Sequence, residues 1–111
     1  MMINKKMIAV IGIALLTSCS AKLTMPTDSD AARGTKKYNG ITLSDLNNGK
    51  TLYEQKCTQC HNAKKPSSKS EEKWKKIVPE MAQKAIKKGK TPISESEQQT
   101  IIRYLVVMGG K

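Results

Sequence analysis

Cys57-Thr58-Gln59-Cys60-His61 is a C-x-x-C-H run whose residue types and spacing suit one piece of chemistry. Residues three apart on a turn of helix share a face. The sulfurs of Cys57 and Cys60 can therefore reach the two vinyl groups of a haem from one side and form two thioethers. The next residue, His61, is turned by about 100° and can bring an imidazole nitrogen to the iron. Five consecutive residues thus suffice to fix a haem ring and one axial ligand.

Other uses of these residues fit the sequence less well. A redox-active C-x-x-C pair belongs beside a βαβ unit, and no β-branched strand pattern is visible. A structural zinc site needs four ligands. Cys57, Cys60 and His61 supply three, the chain holds no second histidine, and the third cysteine, Cys19, is distant in sequence. A chance occurrence of so short a motif is the remaining alternative.

The elements around the motif read as helices. Ser44 can cap a first helix running to about Lys56, with Leu46, Gly49, Leu52 and Tyr53 at helical spacing and leading into Cys57. Asn62 to Ser68 reads as a loop. Ser70 followed by Glu71 and Glu72 is an N-cap with acidic residues in the first turn. On that second helix Trp74, Ile77, Val78 and Met81 share a face that would cover the haem. Pro79 removes a backbone donor, so this helix either kinks or ends at Val78 and restarts. Lys84, Lys87, Lys88 and Lys90 follow, ended by Gly89 and Pro92. Ser94 to Glu97 forms a capping box for a last helix over about 95–108, with Ile101, Tyr104, Leu105 and Met108 on its inner face and Gly109-Gly110 stopping it. No stretch reads as a strand or as a repeat. The expected fold class is all-α: about three helices wrapped around a covalently bound haem, in a domain spanning 41–111.

The pattern L-x-x-G-x-x-L-Y-x-x-x-C-x-x-C-H over residues 46–61 resembles the N-terminal helix of small class I cytochromes c, and the resemblance extends over about 41–108. It implies that Gly49 permits a close approach of the C-terminal helix, against which Tyr53 packs. It also implies that a proline carbonyl shortly after the motif, here that of Pro66, accepts a hydrogen bond from the proximal histidine ring. A methionine thioether is the usual second iron ligand in such proteins and raises the reduction potential. Met25, Met81 and Met108 are candidates. Met81, on the Trp74 face, matches short monohaem cytochromes with a tryptophan-to-methionine helix. Met108 ends a helix expected to pack on the first one, and Met25 lies outside the domain. An open or lysine-ligated iron is the other possibility. Mitochondrial-type cytochromes differ, with their ligand methionine much further along the chain.

The N-terminal part has its own logic. Lys5 and Lys6 precede an apolar run, Met7–Leu16, that is too short to span a bilayer. Residues 1–18 have the layout of a secretory signal, and Leu16-Thr17-Ser18-Cys19 resembles the lipobox of bacterial lipoproteins, in which the cysteine becomes the acylated mature N-terminus. An ordinary signal peptide ending near a cysteine is the alternative. Two or more acyl chains would make a stable anchor. Residues 19–40 are polar, without periodicity, and read as a flexible tether with a span of roughly 25 Å. With Cys19 acylated and Cys57 and Cys60 in thioethers, no thiol remains for a disulfide.

The whole chain of 111 residues carries 20 basic and 9 acidic side chains, a net +11; without Lys5 and Lys6 the balance is +9. So short a chain buries little apolar surface, and the apo form is expected to be poorly folded without its haem. These features together imply a membrane-anchored electron carrier of the periplasm or cell exterior, holding one haem c with His61 and Met81 as axial ligands and no catalytic residues of its own. Its lysines would steer it to redox protein partners with acidic docking surfaces, while nucleic acid does not suit an exported lipoprotein. The alternative is a five-coordinate haem that senses gases or handles peroxide.

Overall fold

The computed structural model describes residues 23–57 and 63–110. Among them the fold is all-α, with no strand: α1 (Asp28–Gly34), α2 (Leu43–Leu52), α3 (Glu71–Lys87) and α4 (Glu95–Gly109). A π-helical turn, Tyr53–Cys57, continues α2, and a 3-10 turn, Pro66–Ser68, precedes α3.

Local sequence explains each start. α2 begins at a capping box in which Thr42 Oγ1 accepts the Asp45 N–H and the Asp45 carboxylate accepts the Thr42 N–H. The expected cap at Ser44 is therefore displaced by two residues. Three positions after Thr42 stands a carboxylate that can return the bond, whereas three after Ser44 stands Asn47. Ser70 caps α3 and the Ser94–Glu97 box caps α4, both as expected. Pro79 neither ends α3 nor divides it: the helix runs through to Lys87 with the proline ring on its exposed side.

α4 is the central element, packed along α2 on one side and α3 on another. At its crossing with α2 an added Cβ on Gly49 would lie 2.5 Å from Tyr104 Cβ and 2.7 Å from the Thr100 carbonyl oxygen. Only glycine allows this approach. Ile101, Ile102, Tyr104, Leu105 and Met108 of α4 form the core with Tyr53, Trp74, Val78, Ala82 and Ile93. Tyr53 meets Trp74 edge-on, with ring centroids 6.0 Å apart, and Tyr104 at 6.1 Å.

The segment expected to be a flexible tether departs from that expectation over its described part. α1 opens with a capping box between Thr27 and Asp30, and Asp30 is buried, paired at 2.9 Å with Arg33. The second guanidinium nitrogen of Arg33 donates to the Val107 carbonyl at 2.8 Å. That carbonyl lies in the last turn of α4, where a cation also suits the helix dipole. Ile41, Leu46 and Val107 make a second small core, with Ala31 and Tyr38 packed against it. The lack of periodicity over 19–40 concealed a seven-residue helix held by a long-range arginine bond and by packing on that second core.

No helix among the described residues is long and apolar enough to cross a membrane.

Candidate functional site

Of the C-x-x-C-H motif, Cys57 is described; Cys60 and His61 lie outside the described residues, as does Cys19. Cys57 ends the π-helical turn, a geometry that occurs often at functional sites. The far side of the motif is pinned from the same turn. Tyr53 Oη donates to the Lys64 carbonyl at 2.8 Å and accepts the Lys64 N–H at 3.1 Å. One buried phenol thus fixes both the residue four before Cys57 and the residue three after His61. Burial pushes the Tyr53 phenol up to about 12, the bond to Lys64 opposing the shift. Burial likewise pushes the Cys57 thiol up to about 11, which keeps it protonated at neutral pH.

Cys57 opens into a cleft of about 620 Å³ that is also lined by Met81, Ala85 and Gly89. The volume is that of a small-molecule site, which typically runs to about 300–1,000 Å³. Ala85 keeps one wall low. Gly89, at φ +68°, turns the chain after α3 so that residues 88–91 form the opposite lip. Lys56, Lys84, Lys88 and Lys90 stand around it. Lys56 is held by Glu97 at 2.8 Å and reaches the Pro92 carbonyl at 3.3 Å, which ties the lip to the start of α4. The donor chemistry suits a haem: a thiol and a thioether face one cavity, and the ammonium groups at its mouth suit the carboxylates such a ring carries.

Three other expected residues have clear positions. Met108 is 5% exposed and lines a different, smaller cavity of about 280 Å³ with Pro66, Tyr104 and Leu23. Trp74, expected on the haem-covering face, is 1% exposed in the core and donates its indole N–H to the Pro66 carbonyl at 2.8 Å. Pro66 thus already accepts one hydrogen bond, and a carbonyl oxygen has a second lone pair to offer. The same carbonyl abuts the end of α4, where an added Cβ on Gly109 would lie 2.8 Å from it. Met25 is 60% exposed. Sequence reasoning missed Lys56 and Glu97 as a tie across the cleft, since Glu97 reads as a capping residue only.

A model of the family described as "Cytochrome C oxidase, cbb3-type, subunit III" matches residues 44–105, a stretch that holds the whole C-x-x-C-H motif, α3 and most of α4. The chain belongs to this cytochrome c family. No curated protein and no solved structure gave a match. Membership implies haem c and places this cytochrome among proteins that generally carry electrons and meet redox partners.

Proposed function

We propose that this cytochrome is a monohaem electron carrier with His61 and Met81 as axial ligands, anchored through Cys19 at a membrane facing the periplasm or cell exterior. The observation that carries the ligand assignment is the shared cleft: Met81 faces the same cavity as Cys57, and Met108 does not. When bound, the haem supplies a one-electron couple. The chain's own residues do the rest. Cys57 and Cys60 would hold the haem through two thioethers, each thiol adding its sulfur and its hydrogen across one vinyl group. Tyr53 holds the loop after His61 through Lys64, and Trp74 holds the Pro66 carbonyl that faces the proximal side in the family. Lys84, Lys88 and Lys90, none of them in an ion pair among the described residues, give the mouth of the cleft a positive field that steers acidic partners, with an on-rate that falls as salt rises.

Residues 1–18 act as the signal and residue 19 as the lipid-bearing N-terminus, while 41–111 make up the part of the domain that holds the haem. Optical spectra of the purified holoprotein in both redox states, with and without carbon monoxide, test the assignment. A six-coordinate iron that ignores carbon monoxide is the expected result. Ready binding of the gas would favour a sensor or peroxide-handling site. Haem staining after denaturing electrophoresis checks the thioethers, which survive denaturation.

A further inference from the structure

The docked N-terminal segment changes where the domain can sit. Leu23 packs against the main core, and Leu23 and Thr24 run beside Lys65, Pro66 and Ser67. Beyond them the Thr27, Asp30 and Arg33 knot binds the segment to α4 through the Val107 carbonyl. From Leu23 onward the chain is therefore part of the domain. Only four residue steps separate Leu23 from Cys19, at most about 14 Å when fully extended. A slack tether of about 20 residues would let every face of the domain approach a membrane; four residues let only the face around Leu23 do so.

That face has the composition of a bilayer contact. The loop beside Leu23 carries Lys64, Lys65 and Lys69, with no acidic residue from 63 to 70. Among the described residues none of these lysines takes part in an ion pair, and Lys64 and Lys65 are exposed. Met25, two residues from the point of exit, is one of only two large apolar side chains exposed among the described residues. A lysine near an anionic headgroup is attracted to it electrostatically, and an apolar side chain can enter the boundary between headgroups and acyl chains.

We propose that the surface formed by Leu23–Met25 and the Lys64–Lys69 loop lies on the bilayer, its lysines on anionic lipid headgroups. The proposal rests on acylation of Cys19. It makes residues 23–38 a strap that presents one face of the cytochrome to the lipid, leaving a partner to approach from elsewhere.

The test uses the mature holoprotein reconstituted into vesicles of phosphatidylcholine alone or mixed with phosphatidylglycerol. Amine acetylation at each lysine is followed by mass spectrometry. Lys64, Lys65 and Lys69 should react about threefold or more slowly in the anionic vesicles, and the difference should vanish at about 1 M salt. Equal rates in both vesicle types, with the protein floating alongside the lipid, would overturn the proposal while leaving the anchor intact. A protein that fails to float and whose N-terminal peptide carries no acyl chain would overturn the anchor and the proposal with it.

Discussion

The seam between α2 and α4 and the cleft at Cys57 are built by opposite means. At the seam Gly49 lets the helices touch, and Leu46, Tyr53, Ile101, Tyr104 and Leu105 are all at or below 1% exposure. At the cleft the walls are Ala85, Gly89 and the stems of four lysines, and Cys57 and Met81 are only partly buried. The seam is complete as polypeptide. The cleft is a boundary that a large apolar ring would complete, which is why the expectation of a poorly folded apo chain applies to one side more than the other.

The largest expected effect comes from removing the haem attachment. Cys57→Ala combined with Cys60→Ala should eliminate covalent haem altogether, read as loss of the haem stain. Amide hydrogen exchange on that variant should show residues 81–91 exposed while Leu105 and Tyr104 keep protection. Uniform loss of protection would mean that the seam also depends on the haem, and that the chain is too small to hold any core alone.

Substituting the two candidate methionines sharpens the same contrast. Met81→Ala should abolish the far-red absorption band of a sulfur-ligated ferric iron, admit carbon monoxide to the ferrous form and lower the potential. Met108→Ala should leave the spectrum unchanged and cost about 2–5 kcal/mol, since its side chain belongs to the core. The reverse pattern would move the ligand to Met108.

Within the seam, Gly49→Ala places a methyl carbon 2.5 Å from Tyr104 Cβ. The helices must separate, at a cost of about 3 kcal/mol in denaturant unfolding and with little change in the visible spectrum. A neutral result would show that α2 and α4 slide without penalty.

Tyr53 joins the two regions and yields a pH dependence. Its phenol stands at about 12 in the fold against 10.0 ordinarily, so the folded state holds its proton where the unfolded state has released it. Stability from this group is complete below about pH 10 and declines by up to about 3 kcal/mol as the pH rises to about 12. Tyr53→Phe should flatten that decline and lose about 1–2 kcal/mol at neutral pH with its two bonds to Lys64. Tyr38 and Tyr104 are also raised by burial, so the variant, not the wild type alone, isolates the contribution.

How much of this was legible in the sequence depends on whether the cause was local. The Ser70 cap, the Ser94–Glu97 box and the 3.6-residue spacing on α4 are local and stand where the sequence put them. Gly49 and Tyr53 were legible through resemblance. The Thr42 cap was visible as a T-x-x-D pattern overlapping a serine that competed with it. α1 has the same pattern at Thr27 but no apolar run behind it. It is held by Arg33 reaching a carbonyl 74 residues away and by Ala31 packing on the Ile41, Leu46 and Val107 core, which no local reading contains. The cleft's lip was hidden for a similar reason, because Lys56 and Glu97 are 41 positions apart.

That ion pair gives the smallest expected effect. Glu97 Oε1 accepts the Ser94 N–H at 2.9 Å, and Lys56 donates to both carboxylate oxygens, at 3.0 Å to Oε1 and 2.8 Å to Oε2. Its pKa is lowered, first by the hydrogen bond from Lys56 and then by the bond to the Ser94 backbone. A lowered carboxyl contributes stability above its ordinary pKa of about 4.5, and the contribution disappears as the pH falls through the folded value. The pair is solvent-accessible, so the contribution is under about 1 kcal/mol at neutral pH and smaller in salt. Glu97→Gln retains an oxygen for the Ser94 N–H while discarding the charge. It should leave neutral-pH stability almost unchanged, remove the small acid-side decline, and loosen residues 88–92 in hydrogen exchange. If the lip keeps full protection in that variant, Gly89 and Ile93 hold it without help from the ion pair, and the cleft is more nearly complete as polypeptide than its open walls suggest.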